Sequence, residues 1–409
     1  MYDIVVIGGG ASGLTAALAA ARRAREDGRK LKIAVLEKNP RVGKKLLMTG
    51  NGRCNLTNLR AGPEQYHGDA REAAGIFSRN PPAKIVGFFR SLGLLCRELD
   101  EGRVYPYSLQ ASSVLNILRR NLELAGAETV CGFSVRRIEN IPGGFAAVSD
   151  RGIIRGRRVV LAAGGKACPQ SGSTGDGFAL LRPFGHAVTE LRPALVQIRT
   201  DPKRVRPLKG VRSLAAASLK AGEATLRTAR GEVQFTENSL SGICIFELSR
   251  FLGASAAKAL AVSLDLAPEH GAADLADLFR EQARACGELP AAQLTDGILN
   301  KALGAEVTKS ALGGLPGSVA SLTENDIQKI SSTVKQFRFP VQGTLSWQNA
   351  QVTSGGVPLA ETDAGLQSKL CKGLYLCGEL LNLDGGCGGF NLHWAWASGI
   401  TAGRAAAER

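Results

Sequence analysis

Three glycines at GxGxxG spacing, Gly8, Gly10 and Gly13, lie in the run Val6–Leu14 (VIGGGASGL) and are the residues of this chain best suited to hold a phosphate. Gly8 permits a tight turn, Gly10 lets the backbone approach a pyrophosphate, and Gly13 lets a helix pack closely on the strand before it. The backbone N–H groups of Ala11 and Ser12 then face the anion from the start of that helix. The spacing alone is a weak signal; its surroundings strengthen it. An apolar strand precedes it, an alanine-rich helix over Thr15–Arg25 follows, and a second strand ends in Glu37, beside Lys38. An acid there accepts hydrogen bonds from the ribose of an adenosine, so the unit reads as a βαβ site for an ADP moiety.

The second chemical centre is at the other end. Residues 373–403 read as a strand, an acid (Glu379), a glycine loop and a helix beginning near Gly389 to Asn391. A second nucleotide site would need its own acid-tipped strand after this loop, and none follows in the sequence. The helix would instead aim its positive end at an extended ligand already held by the first motif, as proteins grip the flavin end of FAD. Gly378 and Glu379 would face the ribityl chain or the hydroxyls near the pyrophosphate, and Gly388, Gly389, Phe390 and Asn391 the ring.

Two further runs fit the same ligand. In Gly43–Asn58 (GKKLLMTGNGRCNLTN), Lys44 and Lys45 offer cations near the pyrophosphate, and Thr49, Gly50, Asn51 and Gly52 form a turn that can pass against the flavin. Arg53 and Asn55 offer donors to an anionic ring or a substrate carboxylate, which also makes them catalytic candidates. In Leu161–Leu180, the segment Ala163, Gly164 and Gly165 would pass the adenosine, and Asp176 is expected to cap the next helix. Cys54 and Cys387, each in a glycine-rich stretch, could approach the cofactor. His393 is either an acid–base candidate or a satisfied core histidine, and Tyr105 and Tyr107 either border the active site or pack. No Ser/His/Asp nucleophile arrangement, no metal-ligand spacing and no second GxGxxG is visible. A nicotinamide donor would therefore dock transiently over the flavin.

Together these four motifs resemble the YhiN/BaiN-like flavoproteins, a family of NAD(P)/FAD-dependent oxidoreductases that includes aminoacetone oxidase-like members. The resemblance covers essentially the whole chain. It implies an α/β fold: a two-part Rossmann-like FAD-binding domain of the glutathione-reductase/fumarate-reductase type, with an inserted small antiparallel β domain and a helical domain. It also implies NAD(P)H as reductant and, in some relatives, unsaturated ketosteroid-like substrates.

The elements that must position these motifs follow from periodicity. A helix is expected over Ser108–Ala125, with Gly126 as its stop, and then short β segments at 129–131, 135–141, 145–149 and 153–155 before a strand over 158–163. Alternation from 193 to about 266 suggests a small antiparallel barrel or sandwich. Helices dominate 272–337, where Thr323–Asp326 has capping-box form. The expected organisation is a first part of the FAD domain at 1–192, a β-barrel-like insert at 193–268, a helical insert at 269–337 and the second part of the FAD domain at 338–409.

Composition narrows the class. Hydrophobic content of 44% with 21% charged residues is that of an ordinary globular protein. No stretch approaches the ~20 apolar residues of a membrane span, and no leader pattern precedes the first strand, so a cytoplasmic location is expected. Nine scattered cysteines disfavour disulfides and structural zinc. The net charge of +15 admits nucleic acid, an anionic substrate or plain solubility. With aromatics at 5% and not interleaved with the basic runs at 22–32 and 203–212, nucleic acid is the least favoured of the three. The sequence thus reads as an oxidoreductase with non-covalent FAD, transferring a hydride through flavin N5 to a small organic substrate of enone or steroid-like type. The competing readings are a nucleic-acid-associated flavoprotein that modifies tRNA and a non-catalytic flavin redox sensor.

Overall fold

The computed structural model describes residues 1–253 and 259–408. The chain divides into two compact units, Met1–Pro193 with Gln351–Arg409, and Ala194–Ala350.

The first unit is built on strands β1 (Tyr2–Ile7), β2 (Ile33–Glu37) and β3 (Glu128–Cys131), all parallel, in the order β3-β2-β1. They are followed in the chain by β4 (Val135–Ile141), β5 (Gly144–Ser149) and β6 (Gly152–Leu161). These three form an antiparallel meander, but the second half of β6 runs parallel to β1 and to the strand Leu374–Leu376. The segments expected at 153–155 and 158–163 are thus one ten-residue strand. Its first half serves the meander and its second half the central sheet, a change of partner that leaves no break in local periodicity.

Helix α1 (Ala11–Glu26) and the C-terminal helix (Phe390–Ala407) pack on this sheet and on each other. Their backbones nearly touch. A Cβ at Gly399 would lie 2.5 Å from the Ser12 carbonyl oxygen and one at Gly403 2.1 Å from that of Ala16. Small residues on both helices therefore set the approach, and a single methyl at either position would force them apart.

The second unit holds a six-stranded antiparallel sheet in the order 198–199, 239–241, 224–235, 212–221, 260–265, 337–340. Its two edges meet, because Arg199 N donates to Gly343 O at 2.8 Å, Gln342 N to Arg199 O at 2.8 Å and Leu345 N to Gln197 O at 3.0 Å. The sheet so closes into a small barrel, which removes its free edges. The helices Ala272–Ala285, Lys301–Leu312 and Glu324–Lys335 follow, the last opened by the Thr323/Asp326 capping box. Sheet and helices share one core in which Leu219, Phe235 and Leu264 pack with Phe279, Val307 and Ile330. The strand 337–340, expected in the returning FAD domain, belongs to this barrel, and the chain re-enters the first unit only at Gln351. Helices of 12 to 14 residues with one apolar face need a partner surface, and the barrel supplies it.

No helix among the described residues is long and apolar enough to cross a membrane.

Candidate functional site

Four loops meet at the carboxyl edge of the parallel strands, where α/β sheets bind ligands. They follow β1 (Gly8–Gly10), β2 (Glu37–Lys38), β6 (Ala163–Gly165) and the strand Leu374–Leu376 (Gly378–Glu379).

The first motif forms the turn from β1 into α1. Gly10 is the N-cap of α1, and no side chain caps the helix. A Cβ at Gly10 would meet no protein atom within 4 Å, whereas one at Gly13 would lie 1.9 Å from Gly8 O. The open side at Gly10 is thus room for a ligand, and the closed side at Gly13 is helix–turn packing. Glu37 is buried; Oε2 accepts from Gly9 N at 2.9 Å, and Oε1 from Asn39 N at 2.8 Å and Asn39 Nδ2 at 2.7 Å. Three of a carboxylate's roughly four acceptor positions are filled, which leaves one unfilled. Lys38 Nζ donates to Thr174 Oγ1 at 2.6 Å and pairs with Asp176. Asp176 does not cap its helix. The N-cap is Gly175, and Asp176 is the first helical residue, its carboxylate turned to Lys38 and Thr174.

Glu379 is held from two sides. Oε1 accepts from Thr353 N at 2.9 Å and Thr353 Oγ1 at 2.8 Å, and Oε2 pairs with Lys45 Nζ at 2.6 Å. Lys44 is exposed. Ser12 is buried beside Gly378, whose N–H donates to Ser398 Oγ at 2.9 Å and whose carbonyl accepts from Trp394 Nε1 at 3.0 Å.

The second motif splits in two. Gly50, Asn51, Gly52 and Arg53 are exposed, with Gly50 and Asn51 left-handed at φ 57° and 54°. Thr49 closes the preceding helix through Oγ1 to Leu46 O at 2.7 Å. Arg53 lies 5.7 Å from the Tyr105 ring centroid. Cys54 to Asn58, in contrast, are buried and clasp the start of the C-terminal helix. Asn58 Nδ2 donates to Gly388 O at 2.9 Å, Trp396 Nε1 to Leu56 O at 2.7 Å, and Thr57 Oγ1 bonds His393 Nδ1 at 2.7 Å. Gly389, the N-cap of that helix, has φ +100°, and a Cβ on it would lie 2.6 Å from Thr57 O and 2.7 Å from Asn55 Oδ1. Only glycine fits there.

Several candidates change meaning. Asn391 is not free to donate to a ring: Nδ2 bonds Gly385 O at 2.8 Å and Gly386 O at 3.2 Å, and Oδ1 accepts from Gly385 N at 2.8 Å, so it shapes the loop. Phe390 is buried against Tyr66. His393 is fully buried beside Phe77, and burial, opposed by the Asn80 backbone, pushes it down to about 4. It is a neutral core histidine, not an acid–base group at physiological pH. Burial likewise pushes the Cys54 thiol up to about 12, which removes it as a nucleophile. Tyr105 is buried; Tyr107 is exposed, with the Arg97 guanidinium 3.7 Å from its ring centroid.

The fold also assembles a serine–histidine–carboxylate set that local sequence does not reveal. His186 Nδ1 meets Glu361 Oε2 at 2.5 Å, and Nε2 meets Ser368 Oγ at 2.8 Å. The hydroxyl is buried, and it accepts from Leu370 N at 3.1 Å and Cys371 N at 3.0 Å. With both lone pairs engaged it is a turn staple rather than a nucleophile. Thr353 and Asn58 also escaped the sequence reading. Thr353 lies in no motif and Asn58 closes the second one without a role that spacing assigns, so only their partners across the fold give them meaning.

Five residues of the basic runs form ion pairs. Arg23 and Arg29 meet Asp27, Arg206 and Lys209 meet Glu237, and Arg212 meets Glu232.

A family model described as HI0933-like protein Rossmann domain matches residues 2–405. The chain is 37% identical over 413 residues to a 3-dehydro-bile acid delta(4,6)-reductase of Clostridium scindens, with 100% of both chains covered. It is 25% identical over 400 residues to a ribosomal RNA dihydrouridine synthase of Escherichia coli, covering 97% of this chain and 96% of that one. Among solved structures, the open conformation of a flavocytochrome c3 fumarate reductase aligns over 99% of this chain and 78% of its own, with 16% identity and a TM-score of 0.51, a likeness of fold.

Proposed function

This chain belongs to the HI0933-like Rossmann-domain family, and we propose that it is an FAD-dependent oxidoreductase that reduces a carbon–carbon double bond conjugated to a carbonyl. The observation that supports this reading is the convergence, on one edge of the parallel sheet, of a glycine turn open at Gly10 and two acceptor acids, Glu37 and Glu379, an arrangement suited to an ADP-containing ligand. The relatives favour the substrate class. A 3-oxo-4,6-diene bile acid and the uracil ring share an alkene conjugated to a carbonyl, and both relatives are named for its reduction or for the reduced product.

Bound FAD would supply a hydride at flavin N5. The chain's own part is binding and electrostatics. The uncapped start of α1 would hold the pyrophosphate, and Glu37 would offer its remaining acceptor position to the ribose. The start of the C-terminal helix, fixed by Asn58 and Thr57, would favour negative charge on a flavin ring held beside it. NAD(P)H is the proposed reductant, docking transiently.

The deciding experiment is anaerobic mixing with NADH or NADPH, followed by 4-en-3-one and 4,6-dien-3-one steroids. Bleaching of the flavin band by a nicotinamide and its return with an enone are expected. A flavin that neither nicotinamide reduces, or that no enone reoxidises, would overturn the reading.

The Escherichia coli relative and the net charge of +15 favour a second reading, reduction of uracil in RNA. Salt-dependent RNA retention and dihydrouridine formation would support it; no RNA binding at low salt would remove it.

A further inference from the structure

We propose that Thr353 is a positioning residue for Glu379, holding its carboxylate so that one acceptor position stays open to a hydroxyl of the FAD ribityl chain. This rests on the FAD reading of the site. A hydroxyl has one proton and two lone pairs. Lys166 N, at 2.7 Å, and Ala167 N, at 3.0 Å, donate to Thr353 Oγ1 and fill both lone pairs. Its proton is therefore directed to Glu379 Oε1 at 2.8 Å, where the Thr353 N–H also arrives at 2.9 Å. Lys45 Nζ takes one position on Oε2 at 2.6 Å. Three donors face the carboxylate, which serves them as acceptor only, and the remaining position is on Oε2.

The arrangement also accounts for Gly165. A Cβ there would lie 2.3 Å from Thr353 Oγ1 and 2.7 Å from Glu379 Oε1, so the array leaves no room for a side chain at this position in the loop after β6. Thr353 is 1% exposed and cannot touch a ligand, while 20% of the Glu379 side chain is accessible. Thr353 therefore acts on the cofactor through what it holds, Glu379 or the turn at Lys166 and Ala167, and only the first of these is lost when Glu379 is changed. Lys45, Lys166 and Glu379 come from three different motifs, and this threonine, which belongs to none of them, joins them.

A double-mutant cycle on the full chain tests this, read as the FAD dissociation constant. Thr353→Val keeps the shape and removes the hydroxyl, and should weaken FAD about ten-fold. Thr353→Ser should bind within about two-fold of the parent, because the hydroxyl is kept. In a Glu379→Gln background, Thr353→Val should add little, since the group it orients has changed. Should the valine variant fail to fold, Thr353→Ala replaces it in the cycle. Wild-type affinity in the hydroxyl-deleted variant, or a loss that persists in full beside Glu379→Gln, would overturn the positioning role. Gly10→Val is the control: if it retains full FAD, the cofactor reading itself fails, whereas lost FAD there with an additive cycle sinks only the role of Thr353.

Discussion

The side-chain amide of Asn58 donates to the carbonyl oxygen of Gly388 at 2.9 Å, tying the second glycine-rich motif to the loop that opens the C-terminal helix. The same nitrogen reaches Glu101 O at 3.2 Å. Asn58→Asp would set an anion against two carbonyl oxygens in a buried site. Stability should fall by about 1 to 3 kcal/mol, and FAD occupancy should fall with it. Urea unfolding and the flavin-to-protein absorbance ratio measure both, and a variant unchanged in each would show that the tie is incidental.

Gly10→Val places a branched side chain in space that no protein atom occupies. The chain should fold with a Tm within a few degrees of apoprotein and emerge colourless, because only the ligand is displaced. Full flavin occupancy in this variant would refute the pyrophosphate cradle.

Glu37→Gln keeps the shape of the side chain and removes its charge. The bonds from Gly9 and Asn39 and the one offered to ribose all weaken, so FAD affinity should drop by about 1.5 to 3 kcal/mol. An unchanged dissociation constant would reduce Glu37 to a tie between strand and turn.

Gly389→Ala brings a Cβ to 2.6 Å from Thr57 O at φ +100°, whereas Gly388→Ala, at φ +114°, meets nothing closer than 3.6 Å. Both carry backbone strain of about 1 to 3 kcal/mol, but only the first displaces the helix start. Redox titration should find a lowered flavin potential in Gly389→Ala and a near-normal one in Gly388→Ala. Equal potentials in FAD-loaded samples of both would move the helix end away from the flavin.

Histidine titrates near 6.5 in an unfolded chain, and burial holds His393 at about 4 in the fold. Below pH 6.5 the unfolded state binds a proton that the fold does not, so stability declines from about pH 6.5 to about pH 4 and levels off beneath. The full difference is about 3 kcal/mol as an upper estimate. His393→Gln can still bond Thr57 and does not titrate, so its stability curve should be flatter across that window. Equal slopes for variant and parent would place the acid sensitivity elsewhere.

The signals that point to a dinucleotide cofactor are local ones. The turn at Gly8 to Gly13, the acid at Glu37 and the capping box at Thr323 act through residues close in the chain, so spacing carries their chemistry. The roles decided by partners far along the chain were not legible. Lys45 meets Glu379 across 334 residues, His186 meets Glu361 across 175, and Asn58 meets Gly388 across 330. Nothing in periodicity marks such pairs, because a hydrogen bond depends on where the fold brings two atoms. For the same reason only the tertiary structure showed that His393 is sealed and neutral, that Asn391 shapes its own loop, and that the strand at 337–340 belongs to the barrel. Burial and strand pairing are properties of surfaces that meet, and a sequence lists residues without saying which surfaces will.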